Sequence, residues 1–211
     1  MMRLFFDIET EVNPDMIPLM PEPIAPGNYK DPDKISAAIK EKKADQISSA
    51  PLDADYGMIK CISCAFDENS QPFFRAVGVN RMTERLMLEC FWKDFGLCSG
   101  FSVGYNIIGF DLPYILRRSM ALGVKPSILP SLVKYRSEPT TDLMAILYNW
   151  GPAKSMKTVA KLYGIIIEAE GITGADVANL TPEETGKYCI SDVRIVQQLY
   201  SLMNGVYYKF E

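Results

Sequence analysis

The chain has 211 residues, enough for one domain with a sizeable core. Hydrophobic residues make up 48% and charged residues 23%, ordinary for a globular protein, and no apolar run approaches the roughly 20 residues of a membrane span. The net charge of −4 argues against a duplex-DNA binder held by a basic surface, but not against an enzyme that grips a strand end through bound cations. The absence of histidine removes Ser-His-Asp and Cys-His nucleophile systems, histidine-ligated zinc hydrolases and any histidine general base. Water activation is left to metal, carboxylate, tyrosine or lysine.

Residues 2–9 are short, apolar and aromatic, and predict a buried strand. The N-terminus reaches Asp7 too early for a signal-peptide core, so a cytoplasmic enzyme is expected. Prolines at 14, 18, 21, 23, 26 and 32 predict an irregular excursion. Asp31 and Pro32 then open a helix over about 32–48 whose polar face carries Lys40, Lys42 and Lys43. Segment 12–57 reads as an insertion into a single domain spanning 1–211.

Strands follow at 58–66 and 72–79, a helix at about 82–95, a short strand at 100–105 and a helix from about 112 to 122 ending at Gly123. Asp142 and Ser155 each begin a short helix. The last helix opens on Thr181-Pro182-Glu183-Glu184, a capping box, and runs to about Asn204. Early strands followed by alternating helix and strand predict an α/β fold, a mixed sheet flanked by helices. The cysteines at 61 and 64 lie in a strand with sulfurs on opposite faces and no partners to complete a zinc site, so they read as core residues.

Asp7 and Glu9 stand two apart on a strand and share one face, with Phe6 and Ile8 on the other. Two acids on one face of a buried strand repel unless a cation lies between them. Asp111 follows the turn Asn106-Ile107-Ile108-Gly109-Phe110 at a helix start, where a plain N-cap would also suit it. Tyr188 and Asp192 are four apart and lie on one helix face. Four acids converging from three segments make a site for two divalent metals about 3.5–4 Å apart, an arrangement that hydrolyses phosphodiesters.

The order of these motifs resembles the DEDD superfamily of 3′→5′ exonucleases, whose fold is ribonuclease-H-like. Asp7-Ile8-Glu9-Thr10 matches motif one, Asn106 to Asp111 motif two, and Tyr188 to Asp192 motif three. A tyrosine in motif three marks the DEDDy branch, which includes the proofreading domains of family A and family B DNA polymerases. The text around the motifs, including 155–164 and 188–193, is most similar to stand-alone exonucleases related to the family B proofreading domain, often found in phages. The resemblance implies the cytoplasm of a bacterium or phage-infected host, a role in DNA replication or repair, and a replication polymerase as partner.

It also implies two Mg²⁺ or Mn²⁺ ions. Asp7 then bridges both, Glu9 and Asp192 complete the first site, and Asp111 holds the second. Tyr188 orients the attacking water. The Thr10 backbone meets the terminal 3′-hydroxyl, and Asn106 and Phe110 belong to the substrate site, where Phe110 packs on the terminal nucleotide or simply on the core. Lys154, Lys157 and Lys161 meet phosphates or form a solvated helix face. Release of nucleoside 5′-monophosphates from the 3′ end of single-stranded DNA is expected. An exoribonuclease and a catalytically idle nucleic-acid-binding or polymerase-docking module are the alternatives.

Overall fold

A computed structural model describes residues 2–207; the expected domain limits at 1 and 211 lie outside the described residues. Its centre is a five-stranded mixed sheet of order β3-β2-β1-β4-β5. The strands are β1 (Leu4–Val12), β2 (Gly57–Phe66), β3 (Phe73–Val77), β4 (Ser102–Gly104) and β5 (Thr140–Asp142). β1, β2 and β3 pair antiparallel, while β4 runs parallel to β1 and β5 parallel to β4. Among the described residues six α-helices accompany them: α1 (Pro32–Ser49), α2 (Arg81–Leu97), α3 (Asp111–Leu122), α4 (Leu143–Leu147), α5 (Met156–Leu162) and α6 (Pro182–Met203).

Side-chain alternation along β1 divides the core into two layers. Leu4, Phe6 and Ile8 enter a cluster with Leu88, Phe91 and Trp92 of α2 and Leu112 and Ile115 of α3. Phe5 enters the other cluster, with Val159 and Ala160 of α5 and Val193, Ile195, Val196 and Leu199 of α6. Each buried aliphatic or aromatic side chain contributes about 1.5–3 kcal/mol of transfer free energy, so these two layers hold the sheet between the helices. Asp7 and Glu9 follow Phe5 onto the α6 face.

Helix placement follows local chemistry. Thr181 and Glu184 form a reciprocal capping box that starts α6, with Pro182 in its first turn. A Cβ on Gly186 would lie 2.4 Å from the Phe74 ring, so a glycine there lets α6 settle close against β3. On the opposite layer, buried Arg118 of α3 donates to both carboxylate oxygens of Glu84 on α2, at 2.7 and 2.8 Å. Glu84 also accepts from the Ile59 backbone N–H. The pair is thereby satisfied from α2, α3 and β2 together.

The excursion between β1 and β2 is built differently. It holds a 3₁₀ turn at Pro14–Leu19, helix α1 and a second 3₁₀ turn at Ala50–Leu52. Asp31 caps α1 as its sequence implies, yet α1 has no buried residue. Lys42 donates to the Ile24 carbonyl and Gln46 to that of Pro21, so the helix is tied mainly to its own segment.

Candidate active site

Asp7, Glu9, Asp111, Tyr188 and Asp192 are brought together by three elements: β1, the N-terminus of α3, and α6. Glu9, Asp111 and Asp192 are 7%, 3% and 5% exposed, and Asp7 keeps slightly more solvent access. Ligand atoms of Asp7, Glu9 and Cys189 all lie within 4.8 Å of one another. Asp111 crosses to β1, where one carboxylate oxygen accepts from the Ile8 N–H at 3.3 Å. This bond answers the N-cap alternative. The cap position belongs to Phe110, and Asp111 is the first residue of α3, its carboxylate directed to the strand that carries Asp7 and Glu9.

The electrostatics are those of an acid cluster that Lys157 compensates only in part. Burial pushes the Asp7 carboxyl well above its ordinary range, and Asp111, Asp192 and Glu9 push it further. Glu9 is raised by burial and then by Asp192, with Lys157 opposing. Burial lifts Asp111 to about 7 and Asp192 to about 6. Asp192 Oδ1 is buried without a hydrogen-bond partner. Lys157 Nζ stands 3.9 Å from that oxygen, beyond hydrogen-bond distance, and a divalent cation held among these carboxylates would supply the missing close partner. Such hard oxygen donors suit magnesium or manganese.

Tyr188 is buried, and desolvation followed by the charges of Asp192, Glu9 and Asp7 pushes its phenol up. It therefore keeps its proton, which makes it a hydroxyl donor and not a base. Lys157 sits in the site as well. Its ammonium donates to the Tyr188 oxygen and to the Ile172 carbonyl, each at 2.6 Å, lies 4.0 Å from the Tyr188 ring centroid and 3.9 Å from Asp192. Of the three lysines grouped by sequence, only Lys157 enters. Lys161 pairs on the surface with Glu170, and Lys154 is exposed.

The turn that delivers Asp111 is held by a residue whose part the sequence did not reveal. Asp142, N-cap of α4, accepts from the Asn106 and Ile108 N–H groups at 2.9 and 3.0 Å, besides capping Ala145. Asn106 takes a φ of +65°, and its Oδ1 folds so close to Gly109 that a Cβ there would lie 2.4 Å away. Phe110 is partly buried and tilts against Tyr114 at 5.4 Å, so it packs on the first core layer while keeping an open side. The Thr10 hydroxyl donates to the Pro51 carbonyl, which fixes the end of β1 to the excursion.

Cysteine behaves as expected, with one addition. Cys61 and Cys64 are buried free thiols. Cys189 was not singled out by sequence, yet its sulfur lies 3.4 Å from the Asp7 carbonyl oxygen and 4.0 Å from Asp7 Oδ2. Its position next to Tyr188 on α6 was the available signal.

A family model described as "DNA polymerase family B, exonuclease domain" matches residues 2–167. The chain belongs to this family of exonuclease domains. It is a 3′→5′ exonuclease domain of a type that uses divalent metals, in agreement with the motif resemblance. The match contains Asp7, Glu9 and Asp111; Tyr188 and Asp192 lie beyond it and join the site through α6. Comparison with curated proteins returned no match. Among solved structures, the family B DNA polymerase of the hyperthermophilic archaeon Pyrobaculum calidifontis matches with a TM-score of 0.59 at 20% identity. The match covers 96% of this chain and 24% of that polymerase, so the fold corresponds to about a quarter of the larger protein. At that identity the likeness establishes the mixed, ribonuclease-H-like sheet architecture. Among the described residues no helix is long and apolar enough to cross a membrane.

Proposed function

We propose that the chain removes nucleotides one at a time from the 3′ end of single-stranded DNA, releasing nucleoside 5′-monophosphates, with two Mg²⁺ or Mn²⁺ ions held by Asp7, Glu9, Asp111 and Asp192. The observation that carries this reading is the convergence of four raised carboxyls from β1, α3 and α6 around Asp192 Oδ1, which is buried and accepts no hydrogen bond. Bound metals would supply a water of lowered pKa and stabilise charge on the attacking and leaving oxygens.

The chain's own residues set the geometry. Tyr188, kept protonated, orients the water with its hydroxyl, and Lys157 holds that hydroxyl in place. Asp142 fixes the turn and thereby the position of Asp111. Thr10, Asn106 and Phe110 line the approach of the terminal nucleotide. Residues 1–211 act as one domain, and segment 12–57 faces the substrate from the end of β1. A replication or repair setting beside a polymerase, in the cytoplasm of a bacterium or phage-infected cell, fits this reading. Single strands are preferred because a frayed end enters without the cost of unpairing, a few kcal/mol.

The test is digestion of 5′-labelled DNA and RNA oligonucleotides with magnesium, manganese or chelator. The reading expects a DNA ladder shortening in single steps with metal and nothing with chelator. Immediate release of the labelled mononucleotide would reverse the polarity, and nicking of circular DNA would make the chain an endonuclease.

A further inference from the structure

Tyr135 and Trp150 form an aromatic pair outside the carboxylate site, with ring centroids 5.2 Å apart and planes inclined at 52°. Tyr135 is 76% exposed, and Trp150 is half-buried. Both sit in the left-handed backbone region, Tyr135 at φ +64° and Trp150 at φ +60°, with Asn149 between α4 and Trp150 at +47°. Bulky side chains rarely adopt this conformation. Such residues tend to mark places where function holds the backbone.

The charge around the pair is opposite to that of the whole chain. Residues 124–157 contain Lys125, Lys134, Arg136, Lys154 and Lys157 against two acids, in a protein of net charge −4. Glu138 is paired with Arg3, and Asp142 is buried against backbone N–H groups. Lys134 and Arg136 flank Tyr135, are exposed and make no ion pair among the described residues, as is also true of Lys154.

The pair is also mechanically joined to the site. The Trp150 N–H donates to the Ala145 carbonyl of α4 at 2.8 Å. Asp142, the cap of α4, holds the turn before Asp111. Farther along the same loop, the Lys154 carbonyl accepts from the Tyr105 hydroxyl at 2.5 Å, next to Asn106.

We infer that Tyr135 and Trp150, with Lys134, Arg136 and Lys154, form a stacking platform for an unpaired base of a single-stranded nucleic acid upstream of its 3′ end. Aromatic faces take any base, and free cations beside them meet the flanking phosphates. This inference rests on the exonuclease reading for the direction of the strand, but its test needs no catalysis.

The chain has two tryptophans, and Trp92 is buried at 2% exposure, so a change in tryptophan emission on adding DNA reports Trp150. Oligothymidylates from two to twelve nucleotides, carrying a fluorescein for anisotropy, are titrated in chelator. Quenching of Trp150 by the longer oligomers and not by the dinucleotide is expected, and Trp92→Phe keeps it. Tyr135→Ala and Trp150→Ala each weaken binding of the dodecamer by about fivefold to a hundredfold, the cost of one lost base stack, while Trp150→Phe recovers most of it. Lys134→Gln with Arg136→Gln flattens the salt dependence of affinity. Binding seen by anisotropy without any quenching overturns the platform, and so does a loss in Tyr135→Ala that is equal for dinucleotide and dodecamer. A face that serves a protein partner would give the first of these results. Failure of metal-dependent digestion, by contrast, overturns the exonuclease reading and leaves the emission result standing.

Discussion

The carboxylate site and the excursion over 12–57 both leave β1, but they are stabilised in opposite ways. The site is buried, clamped by β1, α3 and α6, and carries repulsion that the fold alone does not relieve. The excursion exposes a whole helix, ties that helix to its own segment through Lys42 and Gln46, and meets the core only at its C-terminal end, through Ala50 and Ala54. Changes in the first region should therefore alter chemistry and stability together, often with opposite sign. Changes in the second should alter substrate affinity and little else.

The largest separation comes from Asp7→Ala. Hydrolysis is expected to vanish, while the metal-free protein melts no lower than the parent, because the substitution removes a buried carboxyl whose ionisation is opposed by burial and by Asp111, Asp192 and Glu9. Purified variant with normal activity would remove the metal assignment, and a large fall in melting temperature would mean that Asp7 is a structural residue.

Titration of the cluster gives the next effect. Asp111 and Asp192 hold protons up to about pH 7 and pH 6 in the fold, whereas their unfolded counterparts release them near pH 4. The folded state then binds more protons across that window, so its stability falls as pH rises from about 4 to 7. Without metal, the melting temperature should drop over this range. Magnesium or manganese should restore it most above pH 7, where the carboxylates are ionised. Asp111→Asn with Asp192→Asn should flatten the metal-free dependence; an unchanged slope would mean the carboxyls titrate normally.

Tyr188→Phe tests a single hydroxyl within the rigid region. The ring still packs under Lys157, but the water loses one positioned partner. One such bond is worth about 1–3 kcal/mol, so a fall of roughly tenfold to a hundredfold under single-turnover conditions is expected, with metal affinity retained. An unchanged rate would take Tyr188 out of the mechanism.

The smallest effect belongs to the excursion. Replacing Lys40, Lys42 and Lys43 with glutamine should weaken single-strand binding severalfold and reduce its salt slope without changing the maximal rate. Since Lys42 is engaged with Ile24, most of the change should come from Lys40 and Lys43. If affinity and slope stay the same, α1 does not face the substrate.

This contrast also explains what could be read in the chain itself. The alternation of Phe6, Asp7, Ile8 and Glu9, the Thr181–Glu184 capping box and the Tyr188–Asp192 spacing are local signals, and each gave its element and its face. β5 was not legible because Thr140–Asp142 is only three residues long, too short to show a strand pattern although threonine favours strands. Its strand character comes from parallel pairing with β4, a non-local fact. Lys157 looked like one of three surface lysines; only the packing of α5 on α6 turns it inward. Asp142 was recognised as a helix cap, but its two bonds to the Asn106 turn cross between elements far apart in sequence. Cys189 is drawn beside Asp7 by the close approach of α6, which depends on the contact between Gly186 and Phe74.

The central claim, that the buried acids are a cation site and not a solvent-facing strand end, is tested most directly by calorimetric titration of manganese into the protein at pH 6.5, repeated in two buffers of different ionisation enthalpy. The account predicts saturable binding with release of protons, since carboxyls held protonated by burial must ionise to take the metal, and loss of that binding in Asp7→Ala. Metal binding that is equal in the parent and Asp7→Ala, with no proton release, would contradict it.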